Sequence, residues 1–171
     1  MRSPFARRLI SVVAGVAPIL IALLCVIIGV LPLNLPGIAS IGPALTLMAV
    51  YYWSIFAPLL LPPPAVFLVG LVQDLLGGGP IGLNALILLA VCGLVVNQRR
   101  VFIARAFHMA WFGFMLISLG VAFVSWGLVS LFNMSLLTPA PFLVQSGLSI
   151  ALYPVSSWLF SRVHLDPAYR A

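Results

Sequence analysis

Apolar residues run along this chain in blocks too long for strands, and the blocks are separated by short stretches rich in proline, glycine and asparagine. Runs approaching or exceeding about 18 residues read as membrane-crossing segments. Hydrocarbon offers the backbone no hydrogen-bond partner, so such segments must be helical. The pattern predicts six helices, over residues 9–30, 44–56, 65–76, 81–96, 107–132 and 141–160. Pro18 predicts a kink in the first, and Pro154 falls near the end of the sixth. Breaks come from the linker at 31–43, from Pro62-Pro63-Pro64 and from Gly77-Gly78-Gly79-Pro80. The second and third helices are short for a hydrocarbon core of about 30 Å. With no internal repeat, residues 1–171 read as one polytopic, all-α membrane domain.

Composition strengthens that reading. Hydrophobic residues make up 64% of the chain and charged residues 6%, and the mean hydropathy is +1.27. A soluble domain carries about 25% charged residues, so this chain cannot cover itself with a water-compatible surface. It has no lysine and no glutamate. Its positive charge is carried by arginines that cluster between apolar runs, which marks topology rather than nucleic-acid binding. Arg7 and Arg8 precede a run longer than a cleavable signal core, so an uncleaved first helix is expected.

Positive charge also predicts sidedness. Arg2, Arg7 and Arg8, and the basic loop holding Arg99, Arg100 and Arg105, belong on the cytoplasmic side, with four crossings between them. Arg162 and Arg170 then put the C-terminus there too, while the uncharged linkers at 31–43 and 133–140 face outward. The aromatic cluster Tyr51-Tyr52-Trp53 suits a headgroup-level belt, and Trp111 and Trp158 suit interfacial anchors. The small pairs Ser118/Ala122 and Gly147/Ala151 are candidates for close helix packing. The basic loop also suits contact with anionic membrane lipids or with a cytoplasmic partner.

Candidate chemistry is sparse. Cys25 and Cys92 lie inside apolar runs, His108 and His164 sit at span ends, and no metal spacing, nucleotide loop or catalytic triad is present. Asp74 is the only carboxylate within a predicted span, and an ionisable group at membrane depth is a functional candidate. Helical spacing sets Gly70, Asp74 and Gly77 on one face, so a neighbouring backbone can approach the carboxylate. Folding the chain about its glycines brings Asn84 to the depth of Asp74, with Pro80 suited to the first position of the fourth helix. The Asn84 amide, or backbone N–H groups at that helix start, can then donate to the carboxylate. A helix lock fits better than a proton relay, which needs further acids or histidines along a path.

The stretch Gly70-Leu71-Val72-Gln73-Asp74-Leu75-Leu76, followed by Gly79-Pro80-Ile81-Gly82-Leu83-Asn84-Ala85-Leu86, resembles the signature of the MreD family. That family carries G-L-x-x-D-L-L and then G-x-x-G-x-N-A-L at this point. The resemblance implies a bacterial inner-membrane scaffold of cell elongation, without enzymatic activity or cofactor. Its implied partners are a single-span MreC-like protein, the actin-like MreB and the cell-wall synthases. It also implies a fold similar to the substrate-binding subunits of vitamin-uptake (ECF-type) transporters. The rival function is therefore small-molecule uptake, for which Asn34, Asn133 and Gln145 are thin provision of pocket polarity.

Overall fold

The computed structural model describes residues 4–30, 44–78, 80–103, 107–134 and 138–164, with 4–15, 99–103, 107, 163 and 164 described through their backbone alone. Among the described residues six helices follow one another: α1 (Pro4–Val30), α2 (Leu45–Phe56), α3 (Pro63–Gly77), α4 (Leu83–Ile103), α5 (Phe107–Phe132) and α6 (Ala140–His164). No strand occurs among the described residues. Among them, α5 and α6 are long and apolar enough to cross a membrane. Within the residues whose side chains are described, the apolar parts of the others, Val16–Val30, Leu45–Phe56, Pro63–Gly77 and Leu83–Gln98, are shorter.

Several boundaries differ from the sequence expectation for local reasons. α1 begins at Pro4, so Arg7 and Arg8 lie on its first turns rather than ahead of it. α3 starts at Pro63 because proline, lacking an N–H, is tolerated in a first turn whose donors have no helical acceptor. α4 continues to Ile103, so Arg99 and Arg100 belong to a helix end and not to a loop. Arg105 lies outside the described residues.

The largest correction concerns α2. Every residue from Thr46 to Ile55 is buried, including Tyr51, Tyr52 and Trp53, so these rings form the core and not a headgroup belt. A helix apolar on all sides is best satisfied at the centre of a bundle, and α2 packs on α1, α4, α5 and α6. The Tyr51 hydroxyl donates to the Ala110 carbonyl at 2.8 Å. Its ring meets Phe114 and Tyr153 edge-on at 5.3 and 5.7 Å, and those two stack on each other at 4.4 Å. At twelve residues, about 18 Å, α2 is too short to span alone. The turn that follows it, Ala57–Leu61, faces α4 across an open cleft of about 960 Å³ that also touches Cys92, Gly93 and Asn97.

Prolines inside helices need compensation. Pro154 leaves the Ile150 carbonyl of α6 without its usual donor, and the Trp111 indole of α5 donates to that carbonyl at 3.1 Å. Trp111 is thus a helix-to-helix bond, half-buried, rather than an interfacial anchor. Trp158 is exposed, with the Arg162 guanidinium 4.8 Å above its ring. Leu116, Phe123, Val155 and Leu159 are among the many exposed apolar side chains of α5 and α6. Two helices this apolar and this uncovered need hydrocarbon around them.

Candidate functional site

The α3–α4 hairpin is built around one carboxylate. Asp74 is 2% exposed near the end of α3, where Gly78 closes the helix in the left-handed conformation at φ +67°. The chain re-enters at Gly82, whose φ of +96° turns the backbone where three N–H groups, those of Gly82, Asn84 and Ala85, point back at Asp74. The Gly82 and Ala85 N–H groups donate to Oδ2 at 2.8 and 3.3 Å, and the Asn84 N–H donates to Oδ1 at 3.1 Å. Asp74 therefore caps α4 from a neighbouring helix, filling donors that a helix start leaves open and placing negative charge at the positive end of its dipole.

Of the two kinds of donor expected for Asp74, the backbone N–H groups at the start of α4 make the bonds, and the Asn84 side chain does not. Pro80 is not the first residue of α4 either, because the Leu83 N–H turns back to the Pro80 carbonyl at 3.2 Å and helical bonding begins from Gly82, whose carbonyl accepts from Leu86 at 2.9 Å. Gly70 makes the close approach: a Cβ built there would run into the Cα of Ala85 and stand 2.8 Å from its nitrogen. Gly77 has nothing within 4 Å of such a Cβ and is exposed, so it takes no part in that contact. Gly79 lies outside the described residues.

Beside the hairpin, the bundle end holds a cavity of about 390 Å³ where Thr46, Gln73, Asn84 and Gln145 converge from four helices. Gln73 Oε1 is buried there without a partner among the described residues. This gathering was not visible in the sequence, since the four residues are scattered over a hundred positions and no spacing links them. Asn133 is not part of it; its side-chain amide donates to the Val129 carbonyl at 2.8 Å. Asn34 lies outside the described residues.

The packing candidates separate. Ser118 and Ala122 are buried inside the bundle, facing Phe142 and Ser146 of α6, and offer nothing to a partner in the membrane. Gly147 and Ala151 are exposed, with open space beside Gly147. No group of three or more metal-ligating side chains occurs among the described residues.

These features define a class: a small membrane protein, all-helical among the described residues, with a buried carboxylate that holds two helices together. The model of the family rod shape-determining protein MreD matches residues 8–163, nearly the whole chain. The chain belongs to the MreD family, which ties it to the determination of cell shape. No curated protein and no solved structure matches it.

Proposed function

We propose that this protein is a non-enzymatic scaffold of the bacterial inner membrane, linking a single-span MreC-like protein, and through it MreB, to the lateral cell-wall synthases. The family match over residues 8–163 carries this reading. In it all six helices lie in the membrane, with the N-terminus, the α4 end at Arg99–Arg100 and the C-terminus in the cytoplasm. The fold kinship with vitamin-uptake subunits belongs to the same proposal and rests on the family resemblance alone.

The surface for a membrane partner is the exposed Gly147/Ala151 face of α6. In lipid, helices gain little from burying apolar area, so association depends on small residues that let backbones approach. Purification from detergent is expected to recover an MreC-like protein with the wild type. Gly147→Leu is expected to lower that recovery about tenfold while leaving insertion intact, since loss of close packing in membranes costs about 1–2 kcal/mol. A tightly bound vitamin-sized ligand and an energising ATPase in the same preparation, with no cell-wall protein, would instead establish the uptake reading.

A further inference from the structure

α4 and α5 follow one another in the chain yet leave an apolar groove of about 580 Å³ between them. On α4 it is lined by Leu86, Ala90, Leu94 and Gln98, a straight row at four-residue spacing, and on α5 by Gly120 and Val124 among others. Leu86, Leu94 and Val124 are exposed, and nothing fills the space where a Cβ at Gly120 would stand. The row from Leu86 to Gln98 extends about 18 Å along the helix axis at 1.5 Å per residue, more than half of a hydrocarbon core. The groove is apolar along this length, which suits a hydrocarbon chain.

One end of the groove is chemically distinct. Gln98 is the only polar side chain among its described lining residues, and the next two residues of the same helix are Arg99 and Arg100. An arginine fork matches phosphate oxygens, and paired arginines at a membrane surface attract anionic headgroups. We propose that the α4–α5 groove binds an anionic phospholipid, with one acyl chain along Leu86–Leu94 and the phosphate at the Gln98–Arg100 end. The inference rests on the helices lying in a bilayer, as proposed above, and is independent of any protein partner.

The test is native mass spectrometry of the delipidated protein in detergent, supplied with phosphatidylglycerol or phosphatidylethanolamine, and circular dichroism checks that each variant keeps its helix content. The wild type retains phosphatidylglycerol about tenfold better than phosphatidylethanolamine, the preference that two arginines near a headgroup support. Gly120→Leu fills the groove and removes retention of both lipids, whereas Gly127→Leu, on the same helix outside it, leaves retention unchanged. Arg99→Gln with Arg100→Gln brings the two lipids to parity. Equal retention of both lipids by the wild type, or retention unaffected by Gly120→Leu, would overturn the proposal. So would a stoichiometric polypeptide that Gly120→Leu displaces while lipid retention stays the same. Failure of the MreC-like protein to co-purify touches only the scaffold reading, because the lipid measurement contains no partner.

Discussion

Asp74 shows how one side chain sets a local structure. Its two oxygens accept from three backbone N–H groups, a set that a carboxylate satisfies because it only accepts. Asparagine at this position keeps one acceptor oxygen, enough for Gly82 and Ala85, but turns an NH2 group toward the Asn84 N–H. Leucine leaves all three donors unpaired. Unfolding in detergent is expected to show Asp74→Asn destabilised by about 1 kcal/mol and Asp74→Leu by about 3 kcal/mol, given about 1–3 kcal/mol for a buried group left unsatisfied. Equal stability of wild type and the leucine variant would remove the cap from this account. Asp74 stood out in the sequence as the one carboxylate within a predicted span. Its partners were legible as a group, the backbone N–H groups where α4 starts, but not one by one, because backbone donors carry no residue identity.

At the scale of elements, the α3–α4 crossing depends on absent side chains. Gly70 lies against the Ala85 backbone, so Gly70→Ala forces two helices apart, and overpacking of this kind costs about 1–3 kcal/mol. Gly77 shares the helical face but meets open space. Gly77→Ala is therefore expected to be neutral or stabilising by up to about 1 kcal/mol, since alanine loses less backbone freedom in a helix. Thermal unfolding of the two variants side by side measures the contrast, and matching losses would show that the crossing does not depend on Gly70. The same scale explains Trp111. Pro154 announces in the sequence that the carbonyl four residues earlier lacks its donor, but the indole that meets it comes from another helix, 39 residues away.

For the whole molecule, successive helices alternate in direction. Val30, Ala44, Gly77, Asn84 and Gln145 gather at one end, while the Ala57–Leu61 turn and Asn97 lie at the other. With Arg99 and Arg100 beyond Asn97, the second end is expected to face the cytoplasm. In a background where Cys25 and Cys92 are replaced, a cysteine at Thr138 should be labelled by an impermeant reagent from outside intact cells. One at Asn97 should be labelled only after the membrane is opened. Labelling of Asn97 from outside would reverse the proposed arrangement.

Local chemistry along the chain is legible without a structure. Long apolar runs must be helical in hydrocarbon, prolines and glycines end them, and the signature around Asp74 marks the family. Six helices close to the observed bounds follow from these rules, because each depends on neighbours along the chain. Which face each helix presents was left to the tertiary structure. In a chain that is 64% hydrophobic, apolar positions lie on every side of a helix, so periodicity cannot separate core from lipid. Hence Tyr51, Tyr52 and Trp53, which suit an interface by residue type, fill the centre of the bundle, and Ser118/Ala122 and Gly147/Ala151, similar as pairs, point inward and outward respectively. Only the packing of six helices at once decides those directions, because in lipid the choice rests on fit and hydrogen bonds between elements rather than on the polarity of any one residue.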